Sequence, residues 1–144
     1  MTRVSDLLKN KGRNIWSVLP ESTVYEAIEA MADKGVGALL VMQGDQLVGI
    51  VSERDYARKV ILKGKSSRDT EVREIMSYPV IGVPPEMLIE QTMALITEKR
   101  IRHLPVMVGD SVVGVISIGD VIRAIVEEKE FTIQQLTAYI STGG

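Results

Sequence analysis

Apolar and polar positions along this chain follow two rhythms, one helical and one of strand length, and the rhythms change in the same order twice. An extended apolar segment, Ile15–Val18, runs into Pro20. Val24, Ile28, Met31 and Ala32 then recur on one helical face, behind a Thr23-Val-Tyr-Glu26 start whose hydroxyl and carboxylate are placed to satisfy free backbone N–H groups. Lys34-Gly35 supplies a basic last turn and a residue that tolerates the left-handed conformation. Ala38–Met42 is an apolar run of strand length, Gly44-Asp45 a tight turn and Leu47–Val51 the returning strand. Ser52-Glu-Arg-Asp55 opens a helix predicted from Tyr56 to about Leu62.

The same succession returns at the offset that carries Asp55 onto Asp120, 65 residues. At that offset Val18, Pro20, Glu21, Lys34, Leu39, Val41, Met42, Gly44, Asp45, Val48, Gly49, Ser52, Asp55 and Arg58 each recur as the same residue type. The second copy predicts an extended segment at Val80–Val83, a helix near Met87–Glu98, strands Leu104–Val108 and Val112–Ile116 about Gly109-Asp110, and a helix from Gly119 onward. Each unit therefore reads β-α-β-β-α, and two similar units must bury their apolar faces against one another. Shorter helix starts, Val4–Leu8 and Val72–Met76, precede the units at an offset three residues longer. The expected organisation is an N-terminal segment (1–17) packing on the module, a first repeat (18–62), a charged and Ser-rich connector (63–75), a second repeat with its leading segment (76–126) and a C-terminal helix and tail (127–144). Phe131, Ile133, Leu136, Tyr139 and Ile140 mark that tail as a separate, partly amphipathic helix that covers the core or a partner subunit.

Composition narrows the functional classes. The 144 residues fit one compact domain, and the 45% hydrophobic content supports a real core. Seventeen basic against nineteen acidic residues, with 4% aromatics, argue against a nucleic-acid binder built on phosphate neutralisation or base stacking. The absence of cysteine and the single histidine, His103, exclude thiolate chemistry and a Cys- or His-rich metal site. No apolar run approaches a membrane span, and the N-terminus has no secretory core, so a cytoplasmic location is expected. Gly64-Lys65-Ser66 resembles the end of a phosphate-binding loop, but Lys59 stands where the motif needs its first glycine. No catalytic residue, catalytic cofactor or metal ligand is assigned.

Two copies of Gly-hydrophobic-hydrophobic-Ser-x-x-Asp remain, Gly49-Ile-Val-Ser-Glu-Arg-Asp55 and Gly114-Val-Ile-Ser-Ile-Gly-Asp120, each after a hairpin, with Arg102-His-Leu-Pro-Val106 ahead of the second. They resemble the signature of cystathionine β-synthase (CBS) domains, and the resemblance runs from about Val4 to Val126. It implies an α/β fold of two β-α-β-β-α CBS repeats packed about a pseudo-two-fold axis, the pair often called a Bateman module. It also implies a non-catalytic regulatory role, in which adenosine-containing ligands such as AMP, NAD, ADP, ATP or S-adenosylmethionine sit in clefts between the repeats. AMP is the first expectation and NAD the second, because no triphosphate-sized run of cations is present. Two chains of this family often associate, so a homodimer read by a separate effector protein is expected, with no nucleic acid or membrane partner. The alternative is a ligand-independent protein-interaction module.

Carried onto this sequence, the resemblance places Asp55 and Asp120 on the two adjacent hydroxyls of a ribose, as acceptors of charge-assisted hydrogen bonds. Ser52 and Ser117 lie at strand–helix junctions that favour polar or anionic ligand atoms. The same Ser-x-x-Asp is also a plain capping box, and the cap then builds the cleft wall. One cleft is expected to combine Asp120, Ser117, Val115 and Arg102, His103, Leu104 and Pro105 with the stretch Lys11, Gly12, Ile15 and Trp16. The other is expected to combine Asp55, Ser52, Val51 and Gly37, Ala38 and Leu39 with Met76, Ser77, Val80 and Ile81. Ile15, Trp16, Val80 and Ile81 would pack on adenine faces. Because Gly37-Ala38 replaces Arg102-His103, stronger phosphate recognition is expected at Asp120, with Arg54 reaching the shared centre.

Overall fold

The computed structural model describes residues 1–12 and 14–143; Arg13, in the expected N-terminal ligand stretch, and Gly144, at the end of the tail, lie outside the described residues. In chain order the elements are α1 (Val4–Lys11), β1 (Ser17–Val18), α2 (Val24–Lys34), β2 (Ala38–Gln43), β3 (Gln46–Ser52), α3 (Glu53–Tyr56), α4 (Ile89–Lys99), β4 (His103–Val108), β5 (Ser111–Ser117) and α5 (Ile118–Gly143). A π-helical turn, Ala57–Ile61, continues α3, and a 3-10 turn covers Val72–Glu74. By contact the chain forms two units, residues 14–81 with 109–112 and residues 1–13, 82–108 and 113–144.

In the first of these, β1 lies parallel to β2, with Ser17 opposite Leu40, and β2 turns back antiparallel into β3. Gly44 takes the left-handed conformation (φ 62°) that the tight turn requires. Alternate residues of the hairpin and one face of α2 enclose a core of Val24, Ala27, Met31, Leu39, Val41, Val51, Val60, Val72 and Ile75. Burying such side chains contributes roughly 1.5–3 kcal/mol each. The 3-10 turn is tied down through Val72 N–H to Ser22 O (2.8 Å) and Arg73 N–H to Pro20 O (2.9 Å). In the other unit β4 and β5 pair as a hairpin, and Val83 adds a parallel bridge, receiving Met107 N–H (2.8 Å) and donating to Pro105 O (3.0 Å). There α1 is anchored by Val4 N–H to Met87 O and Ser5 N–H to Pro85 O, both 2.9 Å.

Four expectations are corrected. The tail is not a separate helix: α5 runs without a break through Glu127, Glu128 and Glu130, because these strong helix formers carry one periodicity into the next. The helix expected to run on to Leu62 changes to π geometry at Ala57. On α2, Ala27 rather than Ala32 is buried, since the helix presents the Val24–Ala27–Met31 face to the sheet. Thr23 Oγ1 accepts Glu26 N–H (3.1 Å), but Glu26 answers the Thr23 hydroxyl (3.1 Å) instead of its backbone N–H.

The helix ends differ as well. Gly35 closes α2 in the left-handed conformation (φ 66°, ψ 35°), whereas its counterpart closing α4 is Arg100 at φ 55°, ψ 42°. A residue with a Cβ bears a strain of about 1–2 kcal/mol there.

Candidate functional site

Glycine sets each strand–helix junction. A Cβ on Gly49 would overlap the Met76 side chain and come within 3.2 Å of Ser77 O. The missing side chain lets residues 76–77 lie against β3, where Ile50 N–H donates to Ser77 O (3.1 Å) and Ser77 N–H to Ile50 O (2.9 Å). β3 ends at Ser52, and a full capping box follows. Ser52 N–H donates to Asp55 Oδ2 (2.9 Å), the Ser52 hydroxyl donates to the same oxygen (3.1 Å), and Asp55 N–H donates to Ser52 Oγ (3.3 Å). Glu53 N–H reaches Gly37 O (3.1 Å), which fixes the start of β2 beside the junction. The other carboxylate oxygen, Asp55 Oδ1, lies 3.3 Å from Lys59 Nζ, which also donates to Ile75 O (2.8 Å).

The second junction is built alike and partnered differently. A Cβ on Gly114 would meet Leu8 Cδ2 at 2.6 Å, so α1 occupies against β5 the place that residues 76–77 hold against β3. Ser117 N–H donates to Asp120 Oδ2 (2.8 Å), Asp120 N–H to Ser117 Oγ (3.2 Å), and Ile118 N–H to Arg102 O (2.8 Å). Here the lysine comes from α1: Lys11 Nζ donates to Val115 O (2.9 Å) and to Asp120 Oδ2 (2.5 Å). Among the described residues Asp120 Oδ1 faces Arg123, at 3.7 Å. The Asp120 side chain is 12% exposed and that of Lys11 40%.

Electrostatics follow from that packing. Burial works against the charged form of Asp120, but the Lys11 hydrogen bond, the Ser117 N–H and the Lys11 charge outweigh it and hold its pKa below the ordinary 3.8. Burial lowers the His103 pKa below 6.5, and Lys11 and Arg102 lower it further against the pull of Asp120. Burial and the neighbouring cations thus favour the uncharged ring of His103 where no anion lies beside it.

Lys11, Val115, Ser117 and Asp120 are thus in direct contact, and Arg102 joins them through its backbone. Gly12 (φ 93°) ends α1 next to Lys11, and the Arg102 side chain is exposed. Ile15 and Trp16 belong to the other unit, where Trp16 O accepts Leu40 N–H (3.1 Å) and Lys34 Nζ sits 4.4 Å over the indole ring. Around Asp55, Gly37, Ser52 and Ser77 are placed through their backbones, while Ala38, Arg54, Met76, Val80 and Ile81 are half-buried. Leu39, Val51, Leu104 and Pro105 are buried, so any part they take in recognition falls to their backbone. Lys59 escaped the sequence reading; its signal was the four-residue step from Asp55, a helical ion-pair spacing. Among the described residues no group of three or more His, Cys, Asp or Glu is arranged to hold a metal ion. No described helix is long and apolar enough to cross a membrane.

Comparison with known proteins places this arrangement. A family model described as CBS domain matches residues 4–62 and again residues 72–127. The chain belongs to the CBS domain family. It is 43% identical over 152 residues to the Arabidopsis thaliana protein "CBS domain-containing protein CBSX3, mitochondrial", covering 99% of this chain and 73% of that one. A putative signal-transduction protein with CBS domains from Burkholderia ambifaria superposes with a TM-score of 0.84 at 49% identity, over 88% of this chain and 95% of that one. The CBS domain pair of protein MJ0100, in complex with 5′-methylthioadenosine and S-adenosyl-L-methionine, shares the fold at TM-score 0.79 and 22% identity, over 89% of this chain and 98% of that one. The paired capping boxes are thus the signature of two CBS repeats on a mixed α/β scaffold.

Proposed function

We propose that this CBS pair is a non-catalytic regulatory module that binds an adenosine-containing ligand, AMP first and NAD next, at Asp55 and Asp120. The observation that carries the reading is common to both junctions. Each carboxylate spends Oδ2 on its own serine N–H, and among the described residues Oδ1 has nothing closer than a lysine or arginine cation at 3.3 or 3.7 Å. A carboxylate held rigid by its cap, with one oxygen committed only to a side chain that can move, suits the two neighbouring hydroxyls of a ribose. The adenosine ligands of the MJ0100 pair support the same class here. Binding regulates only if the ligand prefers one of two states of the module, and an effector protein then reads the change.

The proposal includes a homodimer in the cytoplasm. Ile122, Val126, Ile133, Leu136 and Ile140 are exposed along α5 at heptad spacing, with Lys129 in the same seam and Glu130 beside it. That pattern suits a second copy of the same helix, whose glutamates would meet the lysine. The seam also favours, as a second reading, an interaction module that needs no ligand. Isothermal titration with AMP, NAD, ADP, ATP and S-adenosylmethionine decides between them. Saturable heat from at least one, weakened by Asp120→Ala or Asp55→Ala, is the expected result, and silence from all five overturns the ligand reading.

A further inference from the structure

Ile50 and Val115 hold equal places in the two repeats, yet their carbonyls are bound by different chemistry. Ile50 O is fixed by the backbone of Ser77 at 2.9 Å. Val115 O is held by the Lys11 ammonium, a side chain that is 40% exposed and that at the same time covers the Asp120 carboxylate. The Asp55 lysine differs in origin and grip: Lys59 rises from the π turn that follows α3, is tied to Ile75 O and lies 3.3 Å from the carboxylate, without the 2.5 Å hydrogen bond that Lys11 makes to Asp120. The Asp120 site therefore contains its own counterion, delivered from a different helix and held by two bonds that a ligand can replace.

A ribose that engages both oxygens of Asp120, Oδ2 as well as the more open Oδ1, competes with that ammonium. Its hydroxyls can satisfy the carboxylate, but the ammonium then keeps only the neutral Val115 carbonyl and loses its anionic partner unless the ligand brings one. A neutral nucleoside brings no anion, and S-adenosylmethionine, whose carboxylate lies on its far amino-acid end, brings a sulfonium of like charge next to the ribose. A phosphate accepts the displaced ammonium in a charge-assisted bond. We infer that Lys11 is the specificity-determining residue of the Asp120 site, exchanging Asp120 for the ligand's phosphate and so selecting anionic adenosine ligands over neutral or cationic ones. This inference rests on the nucleotide-binding reading above and adds the class of ligand that this one site accepts.

His103 makes the test specific to the site, because it is the only histidine in the chain and its titration senses both Lys11 and Asp120. The full-length protein is titrated with AMP, adenosine and S-adenosylmethionine while the His103 ring resonances are followed by NMR, with calorimetry in parallel. Wild type is expected to bind AMP roughly ten- to a hundredfold more tightly than adenosine, the range of one charge-assisted hydrogen bond. Lys11→Met should bring AMP and adenosine to within about threefold of each other, while Lys11→Arg keeps the preference. An unchanged AMP-to-adenosine ratio in Lys11→Met, with His103 still responding to AMP, overturns the inference and leaves the nucleotide reading standing. Heat without any His103 response does the same, because binding then lies elsewhere. Silence in both measurements removes the nucleotide reading and this inference with it.

Discussion

Replacing Gly114 with alanine tests whether α1 packs on β5 as the second repeat requires. The added methyl would lie 2.6 Å from Leu8 Cδ2, 3.1 Å from Cδ1 and 3.4 Å from Cγ. Carbon atoms prefer about 3.5–4.0 Å, so the overlap approaches an ångström. Leu8 is 2% exposed and has little room to withdraw. Overpacking of this kind costs about 1–3 kcal/mol, set against a gain of up to about 1 kcal/mol from replacing a strand glycine. Leu8→Ala alone should cost about 2–5 kcal/mol through its cavity. In the double variant the new methyl fills part of that cavity, so the combined loss should fall short of the sum by about 2 kcal/mol. Urea unfolding of the four proteins, compared at equal m-values, reads this coupling directly. Additivity within about 0.5 kcal/mol would refute the contact. Gly49→Ala provides the contrast. Its Cβ meets the Ser77 carbonyl at 3.2 Å, and that carbonyl is locked to Ile50 N–H, so trimming Met76 should relieve only part of the penalty.

Arg100→Gly should stabilise the protein by about 1 kcal/mol, because Arg100 holds φ 55°, and Gly35→Ala should cost a similar amount; thermal melts of both variants check the sign. Folded His103 binds its proton less readily than the unfolded chain. Its contribution to stability is therefore complete above pH 6.5 and declines as pH falls from there through the lower folded value, so His103→Gln should flatten urea midpoints measured across that window. Asp120 carries the same sign at lower pH: its contribution is present above 3.8 and lost as pH falls through its depressed folded value, a loss that Lys11→Met should reduce.

The duplication, both hairpins and the left-handed helix end at Gly35 were legible because each rests on a local residue pattern. Gly49 and Gly114 were legible as motif letters, though their reason, the close approach of Met76 and Leu8, is tertiary. The capping box of the first long helix is divided between the repeats. Thr23 supplies the side-chain acceptor in one copy, and in the other Gln91 Oε1 accepts Leu88 N–H (3.1 Å) where no hydroxyl stands. A single-sequence reading finds the first half and misses the second. The continuity of α5 was hidden by a charge run that reads as a boundary, although glutamate and lysine sustain a helix well. Lys11 was expected beside Asp120 through the family resemblance, whereas Lys59 was missed on Asp55. Lys59 reaches Asp55 by a four-residue step that was legible but overlooked, and the direct bond of Lys11 rests on the 104-residue step that brings α1 to β5.

That last difference bears on what a duplicated motif can mean. Both repeats spell Gly-hydrophobic-hydrophobic-Ser-x-x-Asp, and both build the same cap to within a few tenths of an ångström. What differs is the element laid against the returning strand. Residues 76–77 pair with β3 through backbone groups, so the strand edge is closed and the Asp55 lysine must come from the following turns. α1 remains helical to Lys11 and closes the β5 edge with a side chain instead, which puts a partly exposed cation on Asp120. A backbone pair is hard to displace, whereas an exposed ammonium exchanges one anion for another at little cost. Identical letters in the two signatures therefore produce one carboxylate whose lysine comes from the turns that follow it and one whose lysine is delivered by α1 from ahead of the repeat. The chemistry of each site is decided by the segment that precedes its repeat.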